Sequence, residues 1–133
     1  MSKVTVYFIN HEGLLNAKTG TVGYRQSPEL QFAHVIFGLV NNHYVYVAQI
    51  EAHDLEDAWR KTNHIDAPWY EGSHVVDFKD MPGFDGGARS GMVGDVYVYN
   101  NKAYMCAAAG WTMLPEAVDV AKMFEERLQT NDR

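Results

Sequence analysis

Residues 84–114 read FDGGARSGMVGDVYVYNNKAYMCAAAGWTML. Inside them, DVYVY (Asp95–Tyr99) and KAYMC (Lys102–Cys106) are alternating runs separated by Asn100-Asn101. Asparagine tolerates positive φ better than most residues, so the pair predicts a two-residue primed turn, and such a turn sets the register of the hairpin. Tyr99 then faces Lys102, Val98 faces Ala103, Tyr97 faces Tyr104 and Val96 faces Met105. Side chains alternate along a strand, so Val96, Val98, Ala103 and Met105 form an apolar face, with Tyr97, Tyr99 and Tyr104 on the other under partial cover. An aromatic pair such as Tyr97–Tyr104 contributes roughly 0.2–1 kcal/mol.

Working outward, VTVYFIN (Val4–Asn10) is rich in β-branched and aromatic residues and reads as a strand. Residues 11–26 carry glycines at 13, 20 and 23 and read as a loop, with a short extra strand near Val22–Arg25. Residues 32–40 fit two structures. Ser27-Pro28-Glu29 is a helix start and Phe32, Ile36 and Val40 share a helical face, whereas Asn41-Asn42 leads straight into the alternating HYVYVAQIEA (His43–Ala52). The second pattern favours another hairpin, and that is the expectation here.

Asp54 is a good N-cap, because its carboxylate can accept from the free amides of a first helical turn. Leu55, Ala58, Trp59 and Thr62 follow at i, i+3, i+4 and i+7, predicting a central helix over about 54–63. Glu56 with Arg60 and Asp57 with Lys61 are i, i+4 pairs on its solvent side, and Asn63 is suited to a left-handed cap. Residues 73–79 suit a strand and 80–94 a glycine-rich loop. Pro115 in a first turn, with Ala117, Ala121, Phe124 and Leu128 on one stripe, predicts a C-terminal helix over about 115–129. The whole reads as one α+β domain, 1–133, with a mostly antiparallel sheet of β-hairpins.

Composition narrows the function classes. Of 133 residues, 47% are hydrophobic and 21% charged, the balance of an ordinary globular protein. Eleven Lys+Arg against seventeen Asp+Glu give a net charge of -6, and the longest basic run is Arg60-Lys61. Direct nucleic-acid binding is therefore disfavoured. One cysteine, Cys106, excludes an internal disulfide and reads as inert packing. With no apolar run long enough for a signal peptide or a membrane span, a cytoplasmic protein is expected.

Arg89-Ser90-Gly91-Met92-Val93-Gly94-Asp95-Val96, a strand, a two-residue turn, a tyrosine strand and then Gly110-Trp111 resemble a box of small phage- and plasmid-encoded proteins. Their pattern is approximately Arg-Ser-x-Ser-Val-Gly-Asp-Val, a hairpin and Gly-Phe, and YodL-like domains are similar. Leu55–Trp59 and Thr62-Asn63 are similar to a second segment, so the likeness spans about 50–114. Met92 replaces the second serine and Trp111 the phenylalanine. The resemblance implies a phage or mobile-element setting and carries over no catalytic residue.

The six histidines have no zinc-site spacing, although His64, Asp66, His74 and Asp77 lie in one segment. No metal and no cofactor is expected. Cys106 with a histidine, or Ser90 with His74 and Asp77, supplies the residue types of nucleophilic catalysis but not a diagnostic spacing, and no enzyme is expected. The 83–91 loop has amides to cradle a nucleotide or other anion, with Arg89 and Ser90 adding charge and a hydroxyl, yet it lacks a P-loop ending and leads into a strand. Trp69 and Tyr70 beside Pro68, together with Phe84, Arg89, Ser90 and Met92, are the candidate binding residues. The leading expectation is an accessory protein that binds a host protein and inhibits or modulates host or defence machinery. A small-ligand binder or enzyme using the 83–91 loop is the alternative, and a virion or assembly subunit, with a homo-oligomer, is the third.

Overall fold

The computed structural model describes residues 2–10, 12, 35–65, 67–107 and 110–115. Among these residues six strands form one antiparallel sheet: β1 (Ser2–Ile9), β2 (Tyr44–Ala52), β3 (Val75–Phe78), β4 (Val96–Tyr99), β5 (Lys102–Cys106) and β6 (Trp111–Met113). Their order across the sheet is β3-β2-β1-β4-β5-β6. With α1 (Leu55–Lys61) and a 3-10 turn at Trp69–Glu71, the architecture is a small α+β fold dominated by its sheet.

The β4–β5 hairpin has the register read from the turn, with Val96 opposite Met105, Tyr97 opposite Tyr104, Val98 opposite Ala103 and Tyr99 opposite Lys102. Asn100 and Asn101 have φ of 51° and 63°, the left-handed pair that a primed turn requires. The faces differ from expectation in one respect. Tyr97 is fully buried rather than partly covered, because both faces of the sheet are packed.

On one face Val4, Val6, Phe8, Ile50 and Tyr97 pack with Ala58 of α1 and Trp69 of the 3-10 turn. On the other, Tyr7, Ile9, Tyr44, Val96 and Met105 pack with Val35, Leu39 and Leu114. Each fully buried Val, Ile or Leu side chain contributes about 1.5–3 kcal/mol relative to exposure. A β-bulge makes this sorting work in β2. Val6 pairs with Ala48 but Tyr7 with Tyr46, so Val47 is the extra residue. Val45 and Val47 before the bulge, and Ala48, Ile50 and Ala52 after it, consequently share a face.

Residues 35–40 are helical, which corrects the expected second hairpin over 32–40 wherever that stretch is described. Val35 and Leu39 pack this helix against the sheet, and the Asn pair ends it. Only Asn42 is left-handed (φ 63°), His43 N–H donates to Gly38 O at 2.8 Å and Asn42 N–H to Leu39 O at 3.5 Å, the pattern of a Schellman helix cap.

In α1, Asp54 accepts from Asp57 N–H at 2.8 Å, and Asp57 reaches back to His53 N–H at 2.9 Å. Lys61 pairs with Asp57 at 3.1 Å as the spacing suggests, but Arg60 also turns to Asp57, at 3.4 Å, and not to Glu56. The end of α1 is a further correction. Asn63 is not left-handed; Thr62 is the C-cap, and the Asn63 side chain donates to Trp59 O at 2.5 Å, satisfying the carbonyl that a left-handed cap would serve. The expected strand near Val22–Arg25 and the C-terminal helix beyond Pro115 lie outside the described residues. Among those residues, no helix is long and apolar enough to cross a membrane.

Candidate functional site

The glycine-rich loop is built around one buried ion pair. Asp95 immediately precedes β4 and is fully buried; Arg89, six residues earlier, turns inward to meet it. The pair is bidentate, with Arg89 Nη1 and Nη2 each 2.8 Å from one carboxylate oxygen. Ile9 N–H donates to Asp95 Oδ1 at 2.9 Å and Met92 N–H to Oδ2 at 2.7 Å. Arg89 Nη2 also donates to Ile9 O at 2.9 Å, and its guanidinium lies 4.5 Å from the Phe8 ring centroid. Burial pushes the Asp95 carboxyl upward, while Arg89 and the amides of Ile9 and Met92 pull it back. Each oxygen receives two donors, so a carboxyl proton would face a donor on either one, and the group is held as a carboxylate.

The rest of the Arg89–Val96 box has equally specific positions. Ser90 Oγ accepts from His64 N–H at 2.9 Å. Gly91 packs where a Cβ would stand 2.5 Å from Tyr97 Oη and 3.1 Å from the Trp59 ring. Gly94 has φ 95°, and its carbonyl accepts from Tyr44 Oη at 2.6 Å. Tyr97 Oη in turn lies 2.6 Å from Thr62 Oγ1; the Thr62 proton has Ala58 O and Trp59 O as acceptors, so Tyr97 is the donor. Gly91 and Gly94 thus pack the loop against the sheet and the end of α1, and Ser90 ties it to the segment that follows α1.

The two candidate segments are brought together, with a division of roles. Trp69 is 3% exposed, its ring edge-on to Phe8 and Phe78 at 6.0 and 5.7 Å, and its Nε1–H donates to Arg89 O at 2.8 Å. It is a core residue that joins the loops, not a surface anchor. Tyr70 is half-buried and stacked on Phe78 at 4.8 Å, and its hydroxyl sits against Gly87, where a side chain would collide with it. Met92 is half-buried. Phe84 differs from all of these, being 43% exposed at the tip of the 81–87 turn. That turn is closed by Met81 N–H to Gly87 O at 2.9 Å, Phe84 N–H to Met81 O at 3.1 Å and Gly87 N–H to Phe84 O at 2.9 Å. A groove of about 280 Å³ is lined by Arg60, Ile65, Pro68, Trp69 and His74 among others, none of them from that turn.

The chemical alternatives find other partners in the fold. Ser90 serves His64, His74 Nε2 lies 2.9 Å from Lys61 O, and Asp77 accepts from Tyr46 Oη at 2.5 Å. Burial, with Asp95 and Glu56 adding to it, pushes the Cys106 thiol up to about 12, so at neutral pH it is not a thiolate nucleophile. Among the described residues no three His, Cys, Asp or Glu side chains group as metal ligands, and Asp66 lies outside them. Within the 83–91 loop the amides of Phe84, Gly87 and Gly91 donate to carbonyls of the protein.

Asp95 and His64, the two groups that organise this region, are not among the candidate binding residues read from the sequence, where His64 stands only as a candidate metal ligand. The available signal was an Arg and an Asp flanking glycines immediately before a buried strand. Comparison with known protein families, curated proteins and solved structures finds no match.

Proposed function

We propose that this is a small, non-enzymatic binding protein of a phage or another mobile element, acting in the host cytosol by docking on a host protein. The observation that supports docking is Phe84, a large apolar side chain 43% exposed on a turn closed by three backbone hydrogen bonds. An exposed aromatic on a closed turn binds with little loss of backbone entropy, which is the property of an interface anchor. The mobile-element setting is supported by the resemblance of the Arg89–Val96 box.

The test is capture of a bacterial partner by the tagged protein, with nuclease present, followed by an affinity series on the partner identified. Phe84→Ala is expected to weaken that affinity by over about tenfold while leaving the unfolding midpoint unchanged. Unchanged affinity would remove the 81–87 turn from the interface. Trp69→Ala is unsuitable for this purpose, since emptying a buried tryptophan site costs about 3–5 kcal/mol of stability.

A further inference from the structure

We infer that a second copy of this chain seats its Phe84 in the groove lined by Trp69, and that two copies close in this way into a reciprocal dimer. The two surfaces match in size and polarity. Phe84 is 43% exposed on a turn held by three backbone hydrogen bonds. The groove is walled by Ile65, Ala67, Pro68 and Trp69, and Ile65 is 76% exposed, the most exposed large apolar side chain among the described residues. Its volume of about 280 Å³ falls just short of the range that holds a drug-sized molecule, about 300–1,000 Å³, and suits a single aromatic side chain.

They match in charge as well. Within 80–87 the charged side chains are Asp80 and Asp85, both exposed, with Lys79 just before them. Arg60 and Lys61, the longest basic run in a chain of net charge -6, line the groove, where Glu71 is the acid among the described residues. Lys61 is directed to Asp57 at 3.1 Å and to Glu51 O at 3.2 Å. Arg60 has a side chain 69% exposed and meets Asp57 only at 3.4 Å, so it is the rim cation that can turn to Asp85 of a second copy. Such a rim pair steers and orients the encounter, while the phenyl ring supplies most of the hold.

The two surfaces share one element. Trp69 and Glu71 of the 3-10 turn line the groove, and Tyr70 between them sets its hydroxyl against Gly87, at the base of the Phe84 turn. A projection and a hollow that are neighbours on one surface can be exchanged across a twofold axis, which closes the assembly at two copies. The inference does not rest on a host partner. Because Phe84 cannot occupy two sites at once, the dimer and a host complex formed through Phe84 exclude each other.

The experiment is sedimentation equilibrium of the purified full chain over about 1 µM to 1 mM, the span in which a contact smaller than a standard interface dissociates. The wild type is expected to move from monomer to dimer mass with concentration, and Phe84→Ala to weaken the dimer by over about tenfold. Arg60→Glu and Asp85→Lys each set like charges together in both contacts, so each variant alone should associate less than the wild type. Mixed in equal amounts the two variants restore an opposite-charge pair at both contacts, and dimer should return as the heterodimer, which also shows that both remain folded. Monomer mass for the wild type at every concentration would overturn the inference and leave the groove to an occupant from another protein. So would a dimer indifferent to Phe84→Ala, or a mixture no more associated than its components.

Discussion

Arg89 and Asp95 are both withdrawn from solvent, with side chains 15% and 0% exposed, so each charge depends on the other for its solvation. Removing one partner leaves an uncompensated buried charge, an effect of about 3–5 kcal/mol. Arg89→Met and Asp95→Asn are each expected to lower stability by that amount in urea unfolding; a loss under about 1 kcal/mol in both would refute the clamp. At this scale the sequence was partly readable. The Arg89–Val96 box marked the right residues, but Arg89 read as a ligand-facing cation because a linear spacing carries no direction. Its inward turn depends on Ile9 O, supplied by a strand 80 residues away. Trp69 was misplaced for the same reason: a Trp-Tyr pair after proline looks like a loop tip until Phe8 and Phe78 enclose it.

Helix α1 illustrates the element scale, where local sequence is most informative. Asp54, Asp57, Arg60 and Lys61 are near neighbours, and their interactions need no distant partner. The Asp57 carboxyl is held below its usual range, first by the His53 amide and then by Lys61 and Arg60, with burial opposing them. A carboxyl whose folded value is depressed contributes stability above its unfolded value, and that contribution is lost as pH falls through the folded one. Urea midpoints followed below about pH 5 should therefore fall more steeply in the wild type than in Asp57→Asn, so that the two curves converge. Parallel curves would show that Asp57 contributes nothing to the acid limb. The element that escaped the sequence reading is β6, three residues that fold straight back on β5, pairing Thr112 with Met105 and Trp111 with Cys106.

Across the whole molecule, β1 lies between β2 and β4 and supplies residues to both packed faces, whereas β3 is an edge strand with Val76 45% exposed. Amides of Val4, Val6 and Phe8 should exchange only through global unfolding, and those of β3 through local fraying at a faster rate. Hydrogen exchange that found β3 as slow as β1 would contradict this ranking. By itself the sequence determined the alternating strands, the β4–β5 register and the start of α1, because each follows from interactions between residues a few positions apart. Only the tertiary structure decided between the two Asn-Asn pairs. Both contain a left-handed asparagine, yet Asn100-Asn101 turns a hairpin while Asn42 caps a helix. A positive φ serves either geometry equally well. What separates them is packing: Val35 and Leu39 are fully buried against the sheet beside Tyr7, Ile9 and Met105, and that contact exists only once the distant strands are assembled.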